Sequence, residues 1–338
     1  MKRYPRAAAA AATLLVVSLM GACSSSGGPG SDSPAGDTGG EPIAIAFFGF
    51  AKANSFANAT FQGIEKYASE VDGTTEFFDG AFDSAQQVQQ IQDATTSGRF
   101  NVYIVQANDG AAVVPAIEAA LEAGIAVVAE FTPVGTAYDT AEPQVDGVYS
   151  IVDVPADNGR TLATMGKGAC DELAADPCKV AYLQGNAALP LDNTRTESAV
   201  AALKDQGATV VDNFQGGYTA DEGRAAVQDL LQSHPDVNVI IGSSQAIAGA
   251  EALVDTATVK LIGNGGSRQA VEAVQAGRWY GTYYADEVQD GYEAAKIGGE
   301  AARGGSPAKA TNIMDLEYNH GGMGTLETLD GINGTYDE

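Results

Sequence analysis

The loop Asn54-Ser55-Phe56 contains the first side chains whose types suit ligand recognition. It follows an apolar run at 43–48 and precedes apolar residues at helical spacing. Ligands of open parallel sheets bind just past the carboxyl ends of the strands, so this loop is placed to contact one. The Asn amide would bond a polar ligand and the Phe ring would cover an apolar face. The alternative is structural, with Asn54 capping the helix and Phe56 stapling it.

Patterns of the common catalytic sites are missing from the sequence. It has no Gly-x-Ser-x-Gly, no His-Glu-x-x-His and no phosphate loop, because the glycine-rich 263–267 lacks the required Lys. Only His234 and His320 are present, which disfavours a metal site. The formal charge of −26 would repel nucleic acid phosphates. The sequence therefore predicts a binding protein that is not an enzyme and has no cofactor, metal or nucleic acid partner.

Strand and helix patterns alternate along the chain and position such loops. Strands are predicted at 43–48, 74–79, 100–106, 125–131, 148–152, 179–184, 208–214, 237–242, 259–263, 278–284 and 313–317. Helices are predicted after the 54–56 loop and at 84–97 with Ser84 as N-cap, 111–123, 158–173, 192–205, 220–233, 245–254, 268–276 and 287–303. Two runs of βα units predict an α/β protein with two doubly wound parallel-sheet domains and a ligand cleft between them.

The amino-terminal segment has the pattern of an export signal. Basic residues precede an apolar run that ends in small residues at Cys23, and 24–40 is a linker rich in Gly, Ser and Pro. The ending of residues 1–22 resembles a bacterial lipoprotein signal, which implies lipidation of Cys23 and anchoring to the outer face of the cell membrane. An ordinary signal peptide is the alternative. Without 1–22, 15 basic residues face 44 acidic ones, a charge of −29.

Two further cysteines, Cys170 and Cys178, lie at the end of one predicted helix and the start of the next strand. Disulfides persist in exported proteins, so we expect a bridge between them that contributes about 2 kcal/mol. Free thiols or metal ligands are the alternatives.

With these elements in place, the chain resembles the sugar-binding proteins of bacterial ABC importers, of the ribose and galactose-binding type. The resemblance covers roughly residues 41–317 and depends on the order of several short stretches. These are Asn54-Ser55-Phe56 with Gly63, VQAND at 105–109, LQG at 183–185 with Arg195, LQSHPDV at 231–237 and LIGNGG at 261–266.

The resemblance implies a three-segment hinge between the domains. The first lobe would comprise 41–153 and 286–310, and the second 154–285 and 311–338. It also implies a set of ligand-binding residues: Asn54, Phe56, Phe131, Thr132, Asn193, Arg195, Tyr218, Ser244, Gln245, Asn264 and Tyr284.

Several of these positions also have structural interpretations. Phe131 ends a buried strand and is equally suited to the core, and Arg195 is equally suited to a surface ion pair. Tyr283 and Tyr284 alternate, so only one of them can face the cleft. Asp109 is expected to cap the following helix rather than bind ligand.

The expected function is binding of a small sugar or cyclic polyol by hinge closure, as a monomer that works with ABC permease subunits. Most charged positions that hold ribose in the family are replaced here, so we do not expect tight ribose binding. The alternatives are a sensory receptor of the same fold and a non-sugar cyclic ligand such as a nucleoside.

Overall fold

The computed structural model describes residues 42–211 and 214–338. The predicted signal, Cys23 and the linker lie outside these described residues. The strands are β1 Ala44–Gly49, β2 Thr74–Asp79, β3 Val102–Val105, β4 Ala126–Phe131, β5 Tyr149–Val152, β6 Lys179–Gln184, β7 Thr209–Val210, β8 Phe214–Gln215, β9 Val239–Ile241, β10 Lys260–Asn264, β11 Gly281–Tyr283, β12 Ala310–Asn312 and β13 Met323–Thr325. The helices are α1 Ser55–Glu70, α2 Ser84–Ser97, α3 Val114–Glu122, α4 Pro155–Glu172, α5 Pro190–Asp205, α6 Ala220–Ser233, α7 Ser244–Ala250, α8 Arg268–Gln275 and α9 Glu287–Ala302.

The first sheet has six parallel strands in the order β12-β5-β4-β3-β1-β2. Its central strands, β1, β3 and β4, are almost entirely buried. Their short apolar runs lack the polar alternation of a half-exposed strand, which is typical of strands that are covered on both faces. Because all six strands are parallel, their carboxyl ends and the loops that follow them lie along one edge of the sheet.

The second sheet runs β13-β11-β10-β9-β6-β7, with β8 also paired to β6. Its strands are parallel apart from β13, which pairs antiparallel with β11. The two parallel-dominated sheets confirm the predicted fold class. The single strand predicted at 208–214 is instead two short strands, β7 and β8, each paired separately with β6.

Two further details differ from the sequence prediction. Asp83, not Ser84, caps α2, because the cap must precede the first helical residue, and its carboxylate accepts from the Ala85 and Gln86 amides. The strand predicted at 313–317 is wrong, since 310–312 pairs with β5 and a 3₁₀ turn, Ile313–Asp315, follows. The carboxyl-terminal segment forms β13 and buries Leu329 and Tyr336.

The predicted disulfide is present and joins Cys170 in α4 to Cys178 just before β6, with the two Cα atoms 5.6 Å apart. Within residues 42–211 and 214–338, no helix has the length and apolarity needed to cross a membrane.

Helix α9 returns to the first sheet and packs on α1 and β4. The two helices approach closely because glycines face each other: a Cβ at Gly63 would lie 1.8 Å from the Val288 carbonyl oxygen, and one at Gly291 would lie 2.1 Å from that of Thr60. This contact places α9 beside α1, the helix that begins at the 54–56 loop. The packing positions α1, and with it the loop, relative to the sheet.

We expect Gly63→Ala to lower the free energy of unfolding by about 2–3 kcal/mol, because the methyl group would force the helices apart. Urea unfolding followed by circular dichroism measures this. Gln62→Ala changes the exposed neighbour on the same helix and should stay within about 0.5 kcal/mol of the parent. Equal stability of the two variants would contradict the close-packing interpretation.

Candidate functional site

The carboxyl ends of both sheets border one cavity, whose space is about 630 Å³ including its opening to solvent. The residues that line it are Phe50, Asn54, Phe56, Phe82, Phe131, Tyr182, Leu183, Gly185, Leu189, Leu191, Asp192, Arg195, Tyr218, Gly242, Ser243, Gln245 and Asn264.

Four phenylalanines on the first sheet's side of the cavity form one wall, and we call them the phenyl wall: Phe50, Phe56, Phe82 and Phe131. The Phe56 and Phe131 rings meet edge to face with centroids 4.5 Å apart, and Phe50 lies 6.3–6.5 Å from the other three. Such a surface offers apolar contact to the face of a ring-shaped ligand.

Phe131 enters the wall through a turn at the end of β4. Its φ is +58°, a left-handed conformation that is uncommon for a bulky residue. The Thr132 amide donates to the Glu130 carbonyl (2.6 Å) across this turn. Non-glycine residues held this way cluster at ligand clamps, so the strain is a reason to assign the ring a role beyond core packing.

The opposite side of the cavity is polar and centres on Arg195 of α5. Its Nη1 lies 3.3 Å from Asp192 Oδ1, and its Nη2 lies 3.6 Å from Asp153 Oδ2. The Tyr218 hydroxyl donates to both Asp192 oxygens (2.7 and 2.9 Å). The guanidinium also lies 5.9 Å from the Phe131 ring centroid. All three charged groups are buried.

Burial and neighbouring charges have opposite effects on the pKa values of Asp153, Asp192 and Arg195. Burial raises the pKa of both Asp153 and Asp192, and the Arg195 charge opposes that rise. For Arg195, burial acts to lower the pKa, but neighbouring Tyr218, Asp192 and Asp153 outweigh it and raise the pKa. Arg195 is therefore a permanent cation held between two carboxyl groups.

A further layer of hydrogen bonds fixes Asp153. Tyr283 Oη donates to Asp153 Oδ1 (2.7 Å) and Asn158 Nδ2 donates to Oδ2 (2.8 Å). Asn264 Nδ2 in turn donates to Asn158 Oδ1 (3.3 Å). The network runs from the chain after β5 to α4, β10 and β11, and it holds the Arg195 side chain in place.

Seven of the predicted site residues border the cavity: Asn54, Phe56, Phe131, Arg195, Tyr218, Gln245 and Asn264. Asn54 also caps α1, accepting from the Ala57 amide (3.0 Å), so its structural interpretation is confirmed and its role toward a ligand stays a prediction. Asp109 accepts from the Ala111 and Ala112 amides, as a cap would, and does not line the cavity.

The other four, Thr132, Asn193, Ser244 and Tyr284, lie off the cavity. The turn at Phe131 leaves Thr132 buried behind the wall. Successive helical residues project about 100° apart, so Asp192 and Arg195 share a face from which Asn193 is excluded. Asn193 instead accepts from Gln184 Nε2 (2.7 Å).

Ser244 and Tyr284 also lie off the cavity because of their local structure. Ser244 is buried between two residues that do line the cavity, Ser243 and Gln245. Tyr284 points away from Tyr283 and its ring lies 6.0 Å from that of His320. The alternation predicted at this pair is present, and Tyr283 is the one joined to the Arg195 network.

Ten residues that line the cavity were not predicted from the sequence: Phe50, Phe82, Tyr182, Leu183, Gly185, Leu189, Leu191, Asp192, Gly242 and Ser243. Asp192 carried a usable signal, because a carboxylate three residues before Arg195 on a helix lies on the same face. Phe82 follows the end of a strand, where ligand contacts are expected.

Comparisons with known proteins agree with this architecture. A profile of the periplasmic binding protein domain matches residues 45–306. The ribose import binding protein of Bacillus subtilis (strain 168) is 26% identical over 230 residues, covering 66% of this chain and 69% of that protein. A solute-binding protein of an ABC transporter from Mycobacterium smegmatis, with bound glycerol, superposes with a TM-score of 0.70 at 24% identity, covering 87% and 98% of the two chains. One from Bacillus halodurans C-125, with bound myo-inositol, gives 0.71 at 18% identity, covering 88% and 98%.

Two parallel-dominated sheets whose strand ends border one cavity define an α/β protein with a site for a small molecule between the sheets. The chain belongs to the periplasmic binding protein family. It is a binding protein and not an enzyme.

Proposed function

We propose that the protein is the extracytoplasmic substrate-binding component of an ABC importer and takes up a neutral sugar or cyclic polyol. The relatives named for ribose import and the similar structures with bound glycerol and myo-inositol support this class of ligand. The phenyl wall would cover the apolar face of the ring, and the polar side would hold its hydroxyl groups.

The observation that carries the proposal is the state of Arg195. Among the described residues, its Nε and Nη2 atoms have no hydrogen-bond partner although the side chain is buried. These atoms form the fork of a guanidinium that binds two oxygens at once. Two neighbouring oxygens of a ring-shaped ligand, such as vicinal hydroxyls, would satisfy both donors.

Charge balance favours a neutral ligand. Asp192 and Asp153 already flank the single cation, so the three groups together carry one negative charge when both carboxyl groups are ionised. A carboxylate or phosphate on the ligand would add a second buried negative charge without a new cation, and unpaired buried charge is costly.

We further propose that the two lobes comprise 41–153 with 286–310 and 154–285 with 311–338, and close on the ligand by a hinge. The membership of β13 in the second sheet supports this division, whereas β12, Ala310–Asn312, belongs to the first sheet and moves the last boundary from residue 310 to residue 312. Cleavage before Cys23 and its lipidation would anchor a monomer outside the cell, next to permease subunits.

We expect neutral ligands to bind and their charged analogues not to. Isothermal titration with D-allose and myo-inositol should give measurable heats, whereas D-glucuronate and ribose 5-phosphate should bind at least about 100-fold more weakly, because of the uncompensated charge. Ribose should not reach sub-micromolar affinity. Tighter binding of the anionic compounds would overturn the neutral-ligand proposal.

The phenyl wall also favours a second ligand class, the nucleosides, whose planar base would pack on it. Adenosine and uridine therefore belong in the same titration series. Binding of a nucleoside in preference to every sugar and polyol would replace the first ligand class by the second.

A further inference from the structure

An aromatic pair spans the rim of the cavity. Phe82 lies in the loop after β2 and Tyr218 in the loop before α6, so the pair joins the first sheet's side of the cavity to the second's. Their rings are parallel within 7°, with centroids 5.7 Å apart. Both residues line the cavity, and both are only partly buried. They therefore lie where the cavity meets solvent.

The Phe82 ring is held in place by a strained and pinned loop. Ala81 and Phe82 both have positive φ values, +49° and +56°. The Phe82 amide donates to the Phe50 carbonyl (2.8 Å), and the Ala81 amide donates to Asp79 Oδ1 (3.0 Å). Two successive non-glycine residues in this conformation are unfavourable unless the surroundings enforce them, and such strain concentrates at ligand clamps.

The Tyr218 ring is held as firmly on the other side. Its hydroxyl donates to Asp192, which pairs with Arg195. Its amide donates to Glu222 Oε2 (3.2 Å), and Ser243 Oγ donates to the Gly217 carbonyl next to it (2.8 Å). Because hydrogen bonds hold Tyr218 at its hydroxyl and at its backbone, its ring can contact the Phe82 ring without a change of conformation.

We infer that Phe82 and Tyr218 form a clasp that holds the two sides of the cavity together over the ligand. The inference rests on the proposed function, because it assigns the clasp to that same site. The stack must separate before the cavity opens, so it shifts the ratio of closed to open molecules and slows release. A ring pair of this kind is expected to change that ratio about tenfold.

A second contact across the cavity is weaker evidence for the same state. Gln245 Nε2 donates to Ser55 Oγ (3.1 Å), which also joins the two sides. This hydrogen bond involves a Gln that lines the cavity, so a ligand would compete for it. The clasp needs no ligand atom, so its effect should be visible in the ligand-free protein.

The test compares the purified chain with three variants by small-angle X-ray scattering in the absence of ligand. Phe82→Ala removes the ring, and Phe82→Tyr keeps it with a hydroxyl that the rim leaves room to solvate. Phe100→Ala is the matched control, since Phe100 is also a partly buried phenylalanine of the first sheet but precedes β3, away from the strand carboxyl ends. Circular dichroism checks that each variant is folded.

The expected result is a larger radius of gyration for Phe82→Ala alone, with Phe82→Tyr and Phe100→Ala matching the parent. Where myo-inositol or D-allose binds, its release from Phe82→Ala measured by stopped flow should be about tenfold faster. An unchanged radius in folded Phe82→Ala, or an equal expansion in Phe100→Ala, would overturn the clasp. Failure of every titrated ligand to bind counts against the proposed function and leaves the scattering result to decide the clasp.

Discussion

Replacing Arg195 with methionine should abolish ligand binding and destabilise the protein at the same time. Methionine retains much of the side-chain length but removes the donor fork. It also leaves Asp192 and Asp153 buried without their shared cation. Removing one partner of a buried ion pair typically costs about 3–5 kcal/mol, and loss of two charged hydrogen bonds to ligand weakens binding by at least about 100-fold.

Isothermal titration with myo-inositol or D-allose and urea unfolding measure the two effects. Arg160→Met is the matched control, because Arg160 is exposed on α4 and pairs with Asp157 at the surface. Surface ion pairs contribute about 0–1 kcal/mol, so this variant should bind and unfold like the parent. If Arg195→Met kept both full affinity and full stability, the network would have neither assigned role.

The second large effect concerns pH. Three carboxyl groups, Glu130 on β4 and Glu287 and Asp290 on α9, are almost completely buried, and we call them the buried acid cluster. Asp290 accepts from Tyr318 Oη (2.8 Å) and Asn319 Nδ2 (3.1 Å), whereas neither Glu130 oxygen has a hydrogen-bond partner among the residues that the structure describes. None of the ion pairs among residues 42–211 and 214–338 includes a member of the cluster.

Burial raises the pKa of each member, and mutual repulsion adds to it. The pKa of Glu130 and that of Glu287 are raised well above their ordinary values, first by burial and then by the charge of Asp290. The pKa of Asp290 is raised to about 8, mainly by burial, with the Tyr318 and Asn319 hydrogen bonds opposing the rise. Nearby Asp286 and Asp153 add further negative charge.

The folded state therefore holds protons that the unfolded chain releases near pH 4. A group whose folded pKa is raised stabilises the fold at low pH and loses that contribution as pH rises through the folded value. We expect the free energy of unfolding to fall between about pH 5 and pH 8, by up to ~1.4 kcal/mol per pH unit for each titrating group.

Urea unfolding at pH 5, 6, 7 and 8 tests this expectation. Glu287→Gln and Asp290→Asn should flatten the profile and raise stability at pH 8, because a neutral amide replaces an acid that must lose its proton there. Glu118→Gln, on the exposed surface of α3, serves as the control and should keep the parent profile. Stability that increases from pH 5 to pH 8 in the parent protein would contradict the burial argument.

Much of the fold could be predicted from sequence because it depends on local patterns. Short strand patterns between turn residues gave β1, β2 and β6 nearly to the residue, and helical spacing gave α2 and α6. The last part of the chain could not be predicted this way. The pairing of β12 with β5 and of β13 with β11 depends on distant partners, and three-residue strands leave little periodicity to detect.

The site was harder to predict than the fold because it depends on side-chain direction. One turn at Phe131 decides that its ring, and not Thr132, borders the cavity, and no residue in that stretch signals a positive φ. Site residues that are inferred from a resemblance to a family also reflect the ligands which that family binds. Phe82 is on a loop with no counterpart among the stretches that matched, so only the assembled structure brings it to Tyr218.

The position of Asp153 has a consequence for how affinity and motion are connected. Its amide donates to the Phe131 carbonyl (3.0 Å), so it is tied to the end of β4, and two residues later the chain starts α4. The stretch of backbone that leaves the first sheet thus carries the counter-ion of the residue best placed to hold the ligand. Under the proposed hinge closure, we expect a twist of that backbone to alter the electrostatic environment of Arg195, which would couple ligand occupancy to the angle between the sheets through a single buried carboxylate.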